Sequence, residues 1–151
     1  MKQFGINGLG RIGRTFVRVW VSKNNPELVL KVINTSGSME IEDWAHLLKY
    51  DSNYGRFPGE ITVARSQSKD DVTPENPVLG TITISGHTVI ITAQRDPKLI
   101  PWAQHGVELV VDATGVFTSA EKAAQHFEGG AKRVLITAPA KGGNVSTSVI
   151  G

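Results

Sequence analysis

The chain has 151 residues, 40% of them hydrophobic, and its 16 basic and 14 acidic side chains give a net charge of +2. This length predicts one domain with enough apolar side chains for a core, and no apolar run approaches the roughly 20 residues that span a bilayer. Because the charges are scattered and the start shows no signal-peptide pattern, we expect a cytoplasmic protein that binds neither nucleic acid nor a membrane.

The first predicted strand, residues 3–7, runs directly into a glycine-rich turn with the pattern G-x-G-x-x-G at Gly8, Gly10 and Gly13. Such a turn can bind phosphate, because the first glycine allows the bend and the second lets a pyrophosphate approach the backbone, while the third lets the helix lie close to the strand. Apolar residues at helical spacing follow, at Ile12, Phe16, Val19 and Trp20. An ordinary tight turn is the alternative, but this order of strand, turn and helix favours a dinucleotide site.

Predicted strands and helices alternate along the rest of the chain. The later strands are expected over residues 28–33, 61–64, 81–84, 88–92, 107–112 and 133–137. Further helices are expected over residues 40–49 and from a capping-box pattern at residues 118–121, with one face formed by Ala120, Ala123, Ala124 and Phe127. The pattern predicts the α/β class: a Rossmann-type doubly wound, mainly parallel sheet with a small antiparallel hairpin that turns at residues 85–87. Ligand is expected at the carboxyl ends of the parallel strands.

The end of the second strand departs from the usual dinucleotide pattern. An acidic residue about 20 positions beyond the glycines normally holds the ribose hydroxyls, whereas Asn34, Thr35 and Ser36 stand here. A carboxylate would disfavour a 2′-phosphate by on the order of 1–4 kcal/mol at about 4 Å, while the hydroxyls of Thr35 and Ser36 can donate to it. We therefore expect NADP to be accepted and favoured, with NAD as the other cofactor. Ordinary turn roles for Thr35 and Ser36 are the alternative.

Three other strand ends carry residues that should border the same cleft. Arg95 can reach the adenosine end, and the segments 113–117 and 136–139 follow the strands on the other side of the glycine turn. For each segment the alternative is a simple solvated loop or a strand-to-helix turn.

No residue of this chain is predicted to be catalytic. The chain contains no cysteine, which excludes disulfides, thiolate metal sites and a thiol nucleophile within these residues. The histidines have no metal-ligand spacing, and structural or surface roles are expected for His46, His126 and His87, the last in the hairpin turn. Trp44 and Trp102 are expected in the core or at a docking surface.

Six segments follow one another along the chain: GINGLGRIGR from Gly5, HLLKYDS from His46, GRF from Gly55, RDP from Arg95, TGVFT from Thr114 and GAKRVLITAP from Gly130. Together and in this order they resemble the phosphorylating glyceraldehyde-3-phosphate dehydrogenases. The resemblance implies an amino-terminal NAD(P)-binding domain over residues 1–151. It places Arg11 and Ile12 at the pyrophosphate, Thr35 at the usual ribose-binding aspartate, Arg95 near the adenine, and Thr114, Gly115, Phe117 and Thr137 along the path to the nicotinamide. It also places Ser36 where NADP-using photosynthetic members carry a hydroxyl that meets the 2′-phosphate.

The same resemblance implies that the catalytic cysteine lies beyond Gly151, so that the chain is an incomplete fragment of a two-domain enzyme and is inactive alone. The whole enzyme would convert glyceraldehyde 3-phosphate to 1,3-bisphosphoglycerate in glycolysis or the Calvin cycle, as a homotetramer in the cytoplasm or the plastid stroma. A helix from the far carboxyl end would complete this domain, so the isolated chain is expected to expose apolar surface and to be marginally stable or self-associating. The alternatives are an erythrose-4-phosphate dehydrogenase domain and a stand-alone nucleotide-binding module.

Overall fold

The computed structural model describes residues 1–149 and folds them around a seven-stranded sheet. The strands of this sheet and of a smaller two-stranded one are β1 (Lys2–Asn7), β2 (Leu28–Thr35), β3 (Tyr50–Asp51), β4 (Gly55–Arg56), β5 (Ile61–Arg65), β6 (Val78–Ile84), β7 (His87–Ala93), β8 (Leu109–Asp112) and β9 (Arg133–Ile136). The α-helices are α1 (Arg11–Lys23), α2 (Ile41–Lys49), α3 (Ala120–Ala123) and α4 (Gln125–Glu128). Short 3₁₀ turns cover Lys69–Asp71, Pro97–Leu99 and Ala103–His105.

The large sheet has the strand order β5-β6-β7-β2-β1-β8-β9. The five strands from β7 to β9 in this order run parallel, whereas β5, β6 and β7 are joined by antiparallel pairs. β3 and β4 form the separate antiparallel pair. A mainly parallel sheet with an antiparallel hairpin confirms the predicted Rossmann-type α/β class.

β6 and β7 form the predicted hairpin, but its turn is shorter than the sequence suggested. Ser85 and Gly86 make the whole turn with φ of 48° and 86°, the left-handed conformation that matches the strand twist in a two-residue hairpin. The prediction that His87 lies in the turn is wrong, because His87 pairs with Ile84 and begins β7. β7 also pairs in parallel with β2, so the hairpin continues the central sheet.

Apolar side chains are buried in two clusters. One cluster includes residues of α1 and α2, among them Trp20 and Trp44, which are at most 7% exposed. The other surrounds the fully buried Trp102 and includes Val32 and Val110 of the sheet. Both Trp44 and Trp102 are therefore core residues, in agreement with the prediction. Burial of the parallel strands by both clusters explains why these strands read as short continuous apolar runs.

The helix expected after Thr118 is broken into α3 and α4, each of four residues. The N-cap is Ser119, whose hydroxyl accepts a hydrogen bond from the Lys122 amide. Of the predicted apolar face, Ala123 is buried as expected, but the prediction is wrong at Phe127, which is 50% exposed, whereas His126 is fully buried. His126 turns inward because it has buried hydrogen-bond partners, which belong to the site described below.

Helix α1 leaves part of the sheet uncovered. It buries Gly13, Val17 and Trp20, while Val19 of the predicted apolar pattern stays 49% exposed. An apolar groove of about 200 Å³ remains beside the helix and is lined in part by Phe16, Val19, Leu109 and Leu135. The expected exposed apolar surface is therefore present. No helix among residues 1–149 is long and apolar enough to cross a membrane.

Candidate functional site

In the turn after β1, two of the three glycines stand where a Cβ atom would clash with a neighbouring atom. At the third, the space beside the backbone is open. Gly8 has a φ of 96°, and a Cβ there would lie 2.9 Å from the methyl carbon of Thr114. A Cβ at Gly13 would lie 2.1 Å from the carbonyl oxygen of Gly8. At Gly10, by contrast, no atom of residues 1–149 outside Gly10 and its adjoining backbone neighbours lies within 4 Å of the Cβ position. Gly8 and Gly13 therefore shape the turn, and Gly10 leaves the approach to its backbone open.

Helix α1 begins at this turn without a side-chain cap. Gly10 is the N-cap residue, no side chain in the described part of the chain caps the helix, and the first turn carries no acidic residue. The Arg14 amide makes the first helical bond, to the Gly10 carbonyl at 3.0 Å, so the preceding amides point out of the helix end with the positive end of its dipole. Arg11 and Ile12 are exposed beside them. This arrangement fits a phosphate group.

The carboxyl ends of the parallel strands lie side by side at one edge of the sheet. Asn7 pairs with Asn34 on one side and with Asp112 on the other, and Asp112 pairs in turn with Ile136. The loops that follow these strand ends therefore meet along this edge. They bring together most of the predicted cofactor residues, namely Gly8, Thr35, Ser36, Arg95, Thr114, Gly115 and Thr137.

At one end of this edge, the loops after β2 and β7 border a cavity of about 270 Å³. Arg95 Nε donates a hydrogen bond to the Ser36 carbonyl oxygen at 3.1 Å, which joins the two loops. Ser36 is exposed, and its hydroxyl lies 2.9 Å from that of Ser38. Thr35 is only 2% exposed, and its hydroxyl donates to the Thr92 carbonyl oxygen at 3.0 Å. Of the two hydroxyls at this strand end, Ser36 therefore carries the accessible one.

Lys69 also lines this cavity, together with Ser36 and Arg95. It lies in the loop between β5 and β6, and no motif indicated it. Its ammonium group pairs with the exposed Asp70 at 2.7 Å. Among the described residues no carboxylate lines the cavity, so Lys69 and Arg95 make it a positively charged site.

The side chain of Asn34, a residue predicted to contact a cofactor, forms four hydrogen bonds within the chain at this edge of the sheet. Its side-chain nitrogen donates to Asn7 Oδ1 at 2.9 Å and to the Gln94 carbonyl at 2.8 Å. Its side-chain oxygen accepts from the Thr92 hydroxyl at 2.8 Å and from the Gln94 amide at 3.0 Å. These four bonds use the whole capacity of the amide group, and the residue is 2% exposed. The Asn34 side chain thus joins β1, β2 and β7, and its contact with a cofactor stays a prediction.

Asp112, at the end of β8, accepts four hydrogen bonds. Oδ2 accepts from Asn7 Nδ2 at 3.0 Å and from His126 Nε2 at 2.8 Å. Oδ1 accepts from the Thr114 hydroxyl at 2.6 Å and from the Thr114 amide at 3.1 Å. Burial by itself would raise the pKa of Asp112, but the hydrogen bonds from His126, Thr114 and Asn7 outweigh it and hold the pKa below its ordinary value. These surroundings therefore favour the ionised carboxylate of Asp112, which is 1% exposed.

His126 lies between Asp112 and Trp102. The indole Nε1–H of Trp102 donates to His126 Nδ1 at 3.2 Å, so the ring hydrogen of His126 is assigned to Nε2, where it donates to Asp112. Phe117 packs edge-on against the same imidazole, with ring centroids 5.9 Å apart. His126 thus has a structural role, as expected, although its partners were missed. The only signal in the sequence was an acidic residue, Asp112, at the end of an apolar strand.

The loop after β8 is built on Asp112. The Thr114 hydroxyl, besides donating to Asp112, accepts a hydrogen bond from the Val116 amide at 3.1 Å. Gly115 adopts a φ of 71°, which a residue with a side chain rarely does. From the neighbouring strand, the Thr137 hydroxyl donates to the Asp112 carbonyl oxygen at 3.2 Å. Thr114, Gly115 and Thr137 therefore lie together at the cleft.

The chain matches the family model described as glyceraldehyde 3-phosphate dehydrogenase, NAD binding domain, over residues 2–120. It is 40% identical over 146 residues to the chloroplastic glyceraldehyde-3-phosphate dehydrogenase B of Pisum sativum, which covers 97% of this chain and 29% of that protein. It is 40% identical over 151 residues to glyceraldehyde-3-phosphate dehydrogenase 2 of Synechocystis sp., which covers 100% of this chain and 40% of that protein. It is 41% identical over 140 residues to glyceraldehyde-3-phosphate dehydrogenase 1 of Streptomyces arenae, which covers 93% of this chain and 37% of that protein. The chain thus spans 29% to 40% of the length of these three relatives.

Proposed function

Because the chain belongs to the glyceraldehyde-3-phosphate dehydrogenase family and matches its NAD-binding domain, we propose that it binds NAD or NADP along the carboxyl edge of its parallel strands. The observation that carries this proposal is the uncapped start of α1 behind Gly10, where open space lets a pyrophosphate reach the backbone amides. We assign Gly8, Gly10, Arg11 and Ile12 to the pyrophosphate, Thr35, Ser36 and Arg95 to the adenosine end, and Thr114, Gly115, Phe117 and Thr137 to the nicotinamide end.

The adenosine end favours NADP in this proposal. Ser36 offers an exposed hydroxyl, and Arg95 and Lys69 supply two positive charges around the same cavity. A 2′-phosphate carries negative charge and accepts hydrogen bonds, so these groups attract it. Thr35 is buried and uncharged. A carboxylate at this position would repel the phosphate, and Thr35 does not. NAD lacks the 2′-phosphate and gains less from this cavity.

For the whole protein we propose the oxidative phosphorylation of glyceraldehyde 3-phosphate, with residues 1–151 as the cofactor-binding domain of a homotetramer. Bound NAD or NADP supplies the hydride acceptor, and the residues assigned above bind and orient it. The 151 residues contain no cysteine, so a thiol nucleophile has to come from another part of the protein. The chain alone is therefore expected to bind cofactor without turning over the aldehyde.

The experiment is a fluorescence titration of the chain with NADH and NADPH, for the wild type and for Gly10→Ala. No described atom lies within 4 Å of the added Cβ, so folding should be unchanged, while the Cβ obstructs the phosphates and weakens binding by about tenfold or more. Ser22→Ala, near the other end of α1, is the control and should bind like the wild type. A wild-type chain that binds neither cofactor would refute the proposal. Equal affinities of the wild type and Gly10→Ala would refute the assigned pyrophosphate site.

A further inference from the structure

A chain of buried side-chain hydrogen bonds runs along the carboxyl edge of the sheet and converges on one carboxylate. We call it the Asp112 network, and its members are Thr92, Asn34, Asn7, Asp112, His126 and Trp102. All six side chains are at most 4% exposed. The network crosses β7, β2, β1 and β8 and ends on α4 and Trp102.

The donors of this network all point toward Asp112. From one side, Thr92 donates to Asn34, Asn34 donates to Asn7, and Asn7 donates to Asp112. From the other side, Trp102 donates to His126, which donates to Asp112. Trp102 has only a donor to offer, so His126 cannot turn its ring hydrogen toward Trp102 and accept from position 112 instead. The direction of these bonds therefore requires a side chain at position 112 that only accepts hydrogen bonds, such as a carboxylate.

A buried carboxylate is costly unless several donors surround it, and four donors surround that of Asp112. Its second oxygen connects it to the loop after β8. Oδ1 accepts both the amide and the hydroxyl of Thr114, which in turn accepts the Val116 amide. The methyl group of Thr114 packs against Gly8, where a Cβ would come within 2.9 Å. Asp112 thus bonds directly to the loop 114–116. It is linked indirectly to the glycine turn, because Asn7 and Thr114, which it contacts, both adjoin Gly8.

We propose that Asp112 is a positioning residue for the dinucleotide: acting through Thr114 and Asn7, its carboxylate holds the loop 114–116 and the glycine turn in the geometry that binds the cofactor. This inference rests on the proposed cofactor function. It predicts that loss of the carboxylate weakens cofactor binding more than an equal loss of stability elsewhere in the Asp112 network.

The test compares Asp112→Asn with Thr92→Val. Asp112→Asn keeps the shape of the side chain, but in either orientation its NH₂ group faces two donors, those of His126 and Asn7 or the amide and hydroxyl of Thr114. Thr92→Val removes a buried hydrogen bond from the same network and leaves the bonds of Asp112 intact. We expect Asp112→Asn to weaken NADH and NADPH binding by about tenfold or more, while Thr92→Val changes it by less than about twofold at a similar cost in stability. Equal weakening by both variants would show a merely structural role and overturn the inference.

A double-mutant cycle identifies the route. Thr114→Val removes the hydroxyl that joins Asp112 to Val116 and keeps the methyl group that packs against Gly8, so the wild type is its direct comparison. If Asp112 acts through Thr114, adding Thr114→Val to Asp112→Asn should weaken binding far less than it does in the wild type. Additive losses would contradict this route. If Asp112→Asn does not fold, the comparison of Thr114→Val with the wild type decides the question, and equal binding by these two would overturn the inference.

A measurement without cofactor separates this inference from the proposed function. Amide hydrogen exchange at Thr114 and Val116 should accelerate in Asp112→Asn by about tenfold or more, and it should not change in Thr92→Val. Unchanged exchange in Asp112→Asn would overturn the positioning role even if the wild type binds NADPH. Conversely, a wild type that binds no dinucleotide would refute the proposed function, whatever the exchange rates.

Discussion

The Cβ position of Gly13 lies 2.1 Å from the carbonyl oxygen of Gly8, so α1 begins in direct contact with the turn before it. A methyl group cannot be added there without moving the backbone of the helix or of the turn. Gly10 lies between these two residues, yet its Cβ position is open among the described residues. The same short turn therefore contains a glycine that folding requires and a glycine that, in the proposed function, ligand access requires.

Gly13→Ala should therefore destabilise the protein, whereas Gly10→Ala should not. Overpacking against backbone at Gly13 is expected to lower the free energy of unfolding by about 1–3 kcal/mol. Gly10→Ala should stay within about 0.5 kcal/mol of the wild type, because its side chain meets no neighbour. Urea denaturation of the three proteins measures both values. Equal stability of the two variants would contradict this account of the turn.

Ser36→Asp is expected to reverse the preference for NADPH. The new carboxylate would enter the cavity beside Arg95 and repel a 2′-phosphate, which should lower NADPH affinity by about tenfold to a thousandfold. NADH affinity should change little, since NADH has no 2′-phosphate. Ser36→Asn is the matched control, because it has a similar size and no charge. If Ser36→Asp bound NADPH as tightly as Ser36→Asn does, the 2′-phosphate would have to lie elsewhere.

Asp112 should make stability depend on pH in the acid range. Burial by itself raises the pKa of Asp112, but the hydrogen bonds from His126, Thr114 and Asn7 together lower it by more. The folded-state pKa therefore lies below the ordinary value of 3.8. The unfolded chain then binds the proton more readily, and the stability that Asp112 contributes is fully present above 3.8 and is lost as the pH falls through the lower folded-state pKa.

Asp112→Asn removes this titration. The difference in unfolding free energy between the wild type and Asp112→Asn should therefore shrink as the pH is lowered from neutral to below 3.8. Denaturant titrations at a series of pH values measure it. Asp71→Asn, at an exposed position, is the control variant. A difference that is constant across the acid range would argue that Asp112 is not ionised in the folded protein.

Leu135 and Leu99 are equally exposed, at 51% and 50%, but only Leu135 lines the apolar groove beside α1. We predict that the isolated chain self-associates through this groove, because contiguous apolar surface of this kind is normally covered. Leu135→Lys should shift the chain toward the monomer, and Leu99→Lys should not. Light scattering over a range of protein concentrations distinguishes the two. A wild-type chain that stays monomeric throughout and has high thermal stability would contradict the prediction.

The parts of this protein that could be predicted from sequence are those governed by neighbouring residues. The strand, the glycine-rich turn and the helix that follows it all lie within residues 2–23, so their pattern is sufficient to predict the geometry. The alternation of later strands and helices likewise predicted the sheet, because apolar runs between turn residues mark buried strands. Predictions failed at His87 and Phe127, where strand pairing and burial of His126 decided which side chains turn inward.

The glycine-rich turn and the order of strands and helices thus follow from local sequence, whereas the Asp112 network depends on tertiary structure. Asn7 and Asp112 are 105 residues apart, and Trp102 and His126 are 24 apart, so no periodicity or motif relates them. Thr35 shows the same division: its hydroxyl is visible in the sequence, but the pairing of β2 with β7 makes it donate to Thr92 rather than remain open to a ligand. Hydrogen bonds between distant residues depend on how strands and helices pack, because a buried donor bonds to whichever acceptor the packing places within reach.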